Sequence, residues 1–203
     1  SAQITDAGLT AQDTSNTGTV AAGDMVSFRI TPSGTPASNT IFQVGVVFDA
    51  TTSGESPILS LGSTASTTGT VYASLGSYSG WDAGENLRSV VFPTNGAISN
   101  MYVDLSTAPG VGKSHTITLV KNGTPTSQTC TVSDTATTCT DLTNAVTFAP
   151  GDTASIQQTP TGTPAGGNVR MGHRFVPTIP GESVMLANAG NHSASATRYQ
   201  FTG

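Results

Sequence analysis

Short runs of apolar residues, each broken by turn formers, recur along this chain. Residues 25–30, Met-Val-Ser-Phe-Arg-Ile, alternate apolar and polar side chains as a half-buried strand does. Residues 41–48, Ile-Phe-Gln-Val-Gly-Val-Val-Phe, are almost continuously apolar and predict a strand in a sheet centre. Further strands are predicted at 57–61, 71–75, 88–94, 97–105 and 114–120, and around Cys130. Asn95-Gly96 and Asn122-Gly123 each separate two such runs and predict two-residue hairpins. The Ser/Thr/Gly stretch at 62–69 reads as a linker or a loop. Long stretches rich in Glu, Lys, Leu and Ala are absent, so the pattern predicts an all-β chain of short strands.

The pattern also repeats. Gly23-Asp-Met-Val-Ser-Phe-Arg-Ile-Thr-Pro-Ser-Gly-Thr-Pro-Ala37 returns as Gly151-Asp-Thr-Ala-Ser-Ile-Gln-Gln-Thr-Pro-Thr-Gly-Thr-Pro-Ala165, 128 positions later. Asp13 matches Asp141 and Asn16 matches Asn144. Beyond the Thr-Pro loop the offset is 127: Gly45 and Phe48 match Gly172 and Phe175, Gly54-Glu-Ser56 matches Gly181-Glu-Ser183, and Leu59 matches Leu186. Thr70 and Tyr72 match Thr197 and Tyr199. Residues 13–76 are thus echoed by 141–203, while residues 77 to about 140 have no earlier copy. This predicts an incomplete module at 1–66 and a complete one at 67–203. An incomplete β-module exposes unpaired edges and an open core. The missing strands can come from packing within the chain, from the second unit, or from a neighbouring molecule by strand donation. Ala2, Ile4 and Leu9 are the apolar anchors of a weak N-terminal strand that is a candidate donor, and residues 198–202 are another.

Composition narrows the class. The chain has 203 residues, of which 35 are Thr, 23 Ser and 23 Gly, and only 9% are charged. Thr favours strands and Gly favours turns. The net charge of −5 and singly scattered Lys and Arg argue against nucleic acid as a partner. No apolar run approaches the roughly 18 residues of a membrane-spanning helix. The first residues, Ser1-Ala2-Gln3-Ile4, show no leader pattern, which fits either trimming after secretion or loss of Met.

Candidate chemistry is sparse. Cys130 and Cys139 would face each other across a hairpin if residues 133–136 turn, and a disulfide is the expected state, with two free thiols as the alternative. A disulfide suggests an extracellular setting. Neither the cysteines nor His115, His173 and His192 have metal-ligand spacing, so no metal or cofactor is expected. Gly76-Ser-Tyr-Ser-Gly80 has the wrong spacing for a nucleophile elbow, and the chain is not expected to be an enzyme. Asp24 and Asp152 recur in the repeat and suit turns, each accepting a backbone N–H, better than calcium ligation. Trp81 with Tyr78 is a candidate glycan-stacking pair; the alternative is that Trp81 caps the sandwich core. Asn122 and Asn191 begin Asn-X-Ser/Thr glycosylation acceptors.

The segments Thr118-Leu-Val-Lys-Asn-Gly-Thr-Pro-Thr, Thr129-Cys-Thr-Val-Ser and Cys139-Thr-Asp, followed by Gly151-Asp, resemble β-sandwich modules of phage virion proteins and bacterial surface fibres. The resemblance spans roughly residues 97–177, with a partial echo at 13–50. It implies a structural protein built from two tandem antiparallel β-sandwich modules, Ig-like or jelly-roll-like, the first incomplete. Head-to-tail homopolymerisation into an extracellular pilus-like fibre is the leading expectation. A capsid decoration or tail-fibre module on a virion surface, and an adhesive module binding surface glycans, are the alternatives.

Overall fold

The computed structural model describes residues 3–5, 10–27, 29–34, 46–51 and 54–186. Two compact units divide the chain, Ser1–Val44 and Gly45–Gly203. Among its described residues the second carries ten strands: β1 (Ser56–Thr64), β2 (Val71–Ala73), β3 (Tyr78–Ser79), β4 (Val90–Val91), β5 (Gly96–Leu105), β6 (Gly110–Lys121), β7 (Thr124–Asp134), β8 (Thr138–Phe148), β9 (Thr153–Thr161) and β10 (Asn168–Pro177). One sheet has the order β3-β1-β10-β5-β8, the other β2-β9-β6-β7, with β4 also pairing β9. All pairings are antiparallel except the short β1–β3 contact. The all-β, two-sheet architecture expected from the sequence is therefore present.

The core follows from side-chain alternation. β5 buries Ile98, Met101, Val103 and Leu105. That inward set is kept in phase by a bulge between Ser99 and Met101, where Asn100 takes φ +53°. β6 buries Ile117 and Leu119, and β10 buries Val169, Met171 and Phe175. Phe92 stacks on Phe148 with ring centroids 4.3 Å apart and lies 6.0 Å from Phe175. Threonines line the face shared by β6 and β7, where Thr129 and Thr131 are exposed and Thr118 is buried. Thr116 bonds Thr131 at 2.9 Å, and Thr118 bonds Thr129 at 2.8 Å, across β6 and β7.

The two Asn-Gly signals separate here. Asn122 (φ +50°) and Gly123 (φ +75°) form the expected turn, and β6 pairs β7. Asn95-Gly96 is not a hairpin: β4 pairs β9 while β5 pairs β8 and β10, so the chain crosses between sheets there. Gly96 is needed for a different reason. A Cβ at this position would stand 2.4 Å from the Phe175 ring.

Cys130 and Cys139 form a disulfide, with Cα atoms 5.8 Å apart. The expected hairpin around them does not exist. β7 belongs to the β6 sheet and β8 to the β5 sheet, so the bond ties one sheet to the other at a corner. A loop this short contributes about 2–3 kcal/mol by restricting the unfolded chain.

The module boundary also differs from the one drawn at residue 66. β1 pairs β10 along its length, Ala65 is buried, and the Ser66 N–H and C=O both bond Gln158. Residues 62–69 are therefore a crossing between the sheets of one sandwich. Nothing in residues 62–69 marks this locally, because the partners are about 100 residues away.

Candidate functional site

The functional question concerns the partial copies that flank the sandwich. Their turns are built as the complete module's are. Gly23 and Gly151 have φ of +90° and +91°, Gly34 and Gly162 have +70° and +73°, and Gly54 and Gly181 have +84° and +87°. Asp24 accepts a hydrogen bond from the Ala21 N–H at 2.8 Å, and Asp152 accepts one from the Ala149 N–H at 2.8 Å. Asp13 accepts from the Asn16 N–H, and Asp141 from the Asn144 N–H, both at 3.1 Å. These are side-chain-closed turns, as expected for Asp24 and Asp152.

The longer-range partners differ. Asp141 also accepts from the Thr129 N–H of β7 at 3.0 Å. Burial alone would raise its pKa. The hydrogen bonds from the Asn144 side chain and from the Asn144, Thr129 and Thr143 N–H groups outweigh that and hold it below the usual carboxylate range. Asp141→Ala should therefore cost the sandwich about 2 kcal/mol. Asp13→Ala should leave the sandwich transition where it is, because Asp13 belongs to the unit Ser1–Val44. Urea denaturation of the two variants checks this, and equal midpoints would contradict it.

Strands separate the copies further. β8, β9 and β10 correspond to residues 10–20, 25–33 and 41–50 at the repeat offsets. Among the described residues of those three segments none lies in a strand. The strands expected at 25–30 and 41–48 are therefore not formed in the parts described. Residues 28 and 41–45 lie outside those parts. Side chains buried in the module are open in the copy. Phe148 is 3% exposed and its counterpart Val20 53%; Phe175 is 0% exposed and Phe48 48%; Gln158 is 0% exposed and Ile30 53%. In the module β8 and β10 owe their burial to pairing with β5 and β1, and β9 owes its burial to β6.

Two segments of one chain thus carry nearly the same strand sequence, with 13 of 25 positions identical between 13–37 and 141–165. A buried polar network holds the second. Gln158 Nε2 donates to His115 Nδ1 at 2.9 Å and to the Ser66 carbonyl at 3.1 Å, and Gln158 Oε1 accepts from the Ser66 N–H at 2.9 Å. His115 Nε2 donates to the Ala165 carbonyl at 2.9 Å, which assigns the proton to that nitrogen. Ile30 stands at the Gln158 position of the first copy and can make none of these bonds. Bulkier Val26 and Phe28 stand where the module buries Ala154 and Ile156.

The remaining candidates resolve as follows. Ile4 is exposed and lies in no strand; Ala2 and Leu9 lie outside the described residues, as do Asn191 and residues 198–202. Trp81 packs against the core over Gly62, and its indole N–H donates to the Ser63 carbonyl at 2.8 Å. Those contacts match the core-capping alternative. The Tyr78 backbone lies in β3, and its side chain lies outside the described residues. Asn122 is exposed, but its side chain is engaged: Nδ2 donates to Asp152 at 2.8 Å and Oδ1 accepts from the Thr153 N–H at 2.7 Å. Lys121 pairs with Asp152 at 2.9 Å, so three residues pin two loops together. Among the described residues no group of three or more His, Cys, Asp or Glu side chains converges as a metal site would. No protein-family model matches the chain, and no curated protein matches it in sequence.

Proposed function

We propose that the chain is the structural protomer of an extracellular pilus-like fibre, polymerising head to tail by β-strand complementation. The observation that carries this reading is the pairing of one complete ten-stranded sandwich with flanking partial copies. In the described parts of residues 10–50 the turns are preformed while Val20, Ile30 and Phe48 stay exposed. Open apolar edges are aggregation hazards unless a partner covers them. A partner that is another copy of the chain makes a heterologous contact, which propagates into a filament. The inter-sheet disulfide supports an oxidising compartment. The exposed Thr129 and Thr131 of β7 and the few charges suit a hydrated fibre surface.

The test is sedimentation and electron microscopy of the purified chain. An open-ended ladder of masses and filaments is expected. A single closed stoichiometry would replace the fibre with a virion decoration module. Deleting residues 1–12 should abolish polymers and leave the sandwich folded; polymers of unchanged length would remove the N-terminal segment from the donor role.

A further inference from the structure

We infer that residues 182–186 are a strap over the open edge of β1, one that releases without unfolding the sandwich and guards that edge against pairing with another chain. The inference does not rest on the fibre reading. It starts from the backbone of β1. Pro57, Leu59 and Leu61 stand across from Arg174, Gly172 and Arg170 of β10. Alternate residues of an antiparallel strand turn their N–H and C=O groups to opposite sides. The Leu61 N–H donates to the Ser77 carbonyl at 3.3 Å, so residues 57, 59 and 61 turn their backbone polar groups away from β10. Pro57 brings no N–H, as suits an edge. On that side β3 pairs only Leu61 and Gly62, and among the described residues no strand pairs the rest of the edge. Such an edge is a template for a strand of another chain.

The chain's own residues lie against it. Gly181, at φ +87°, ends the turn after β10, and the next five residues alternate. Glu182 and Val184 are half-buried and Leu186 is buried, while Ser183 and Met185 are exposed. Val184 and Leu186 pack on the core. The Leu186 Cβ lies 3.0 Å from where a Cβ on Gly76 would stand, so the glycine makes room for it. Leu186 aligns with Leu59 in the repeat, yet Leu186 is 6% exposed and Leu59 60%. The segment therefore closes on the sandwich in its own phase and does not repeat β1.

Little holds the strap down. Its anchors are the Val184 and Leu186 side chains and the hydrogen bond that Glu182 accepts from the Thr94 hydroxyl at 2.5 Å. Among the described residues it makes no ladder bond to β1. A space of about 150 Å³ remains among Pro57, Ile58, Leu59, Gly76 and residues 184–186. A segment with two apolar anchors and no ladder bonds opens at lower free energy than the strands it covers.

Full-length variants test this. Both native cysteines are in the disulfide, so a Leu186→Cys thiol reports alone. It should react with a thiol reagent about 100-fold faster than the buried control Leu105→Cys, at a rate that low urea does not change. Equal rates that both rise with urea would show that residues 182–186 open only with the whole sandwich, and would overturn the strap. Leu186→Asp should hold the strap off and raise association, read by sedimentation, about ten-fold over the parent. Adding Leu59→Pro, which removes the N–H on the exposed edge, should return it to the parent level. Parent-level association in a folded Leu186→Asp chain would overturn the guard role, and association that Leu59→Pro leaves unchanged would overturn β1 as the guarded edge. The parent's own masses test the fibre reading, whichever way these comparisons fall.

Discussion

Replacing Gln158 by isoleucine should cost the sandwich about 3 kcal/mol, although isoleucine is what the first copy carries at this place. Gln158 is fully buried and is the hub of three hydrogen bonds, to His115, the Ser66 N–H and the Ser66 carbonyl. Its removal leaves three polar groups without that partner, each at about 1–3 kcal/mol, while the added apolar burial returns about 1–2 kcal/mol. Adding His115→Leu should recover part of the loss, because a matched apolar pair strands fewer polar groups than a single change does. A double-mutant cycle in urea measures this coupling. A Gln158→Ile chain within about 0.5 kcal/mol of the parent would show that the network does not select between the two copies.

Acid should weaken the sandwich well before its carboxylates titrate. His173 is buried on β10, and neither ring nitrogen has a hydrogen-bond partner. Burial lowers its pKa from 6.5 to about 4. The unfolded chain therefore takes up a proton first as pH falls. The stability due to neutral His173 is complete above about pH 6.5 and is lost progressively down to about pH 4, by about 3 kcal/mol in all. Asp141 and Asp152 act lower. Both have depressed pKa values, so their contribution holds above about 3.8 and falls away below it. For Asp152 the main cause is the hydrogen bond from Asn122. Unfolding free energies at pH 7, 5.5 and 4.5 should show a slope that His173→Leu flattens. An identical slope in both proteins would remove His173 as its source. The first copy has Val46 at this position and lacks the sensitivity.

The candidate site was legible in the sequence to the extent that it is made of repeats. The matched turns of the two copies followed from aligning 13–76 with 141–203, whereas the strands expected at 25–30 and 41–48 are not formed in the parts described. What the alignment did not reveal is the β1–β10 register, which joins residues about 119 positions apart. Nor did Ile30 and Gln158 look like a discriminating pair, because Gln158 acquires its meaning only beside His115 and Ser66.

By itself, then, the sequence determined what depends on neighbouring residues. These features are the all-β class, the Asn122-Gly123 turn, the Asp-closed turns and the left-handed glycines. Each is fixed by sterics or by a hydrogen bond spanning two or three positions. The cysteine pair was also foreseen, from a spacing of 9. Tertiary structure alone decided which sheet each strand joins. It turned Asn95-Gly96 into a crossing, placed the disulfide between sheets, drew residues 62–69 into the sandwich and spent the Trp81 N–H on Ser63. It also left residues 25–30 outside any strand in the parts described, despite a strand-like pattern. The reason is that strand pairing is non-local. Alternation says that a strand needs a partner and a core, but only the folded chain supplies the partner.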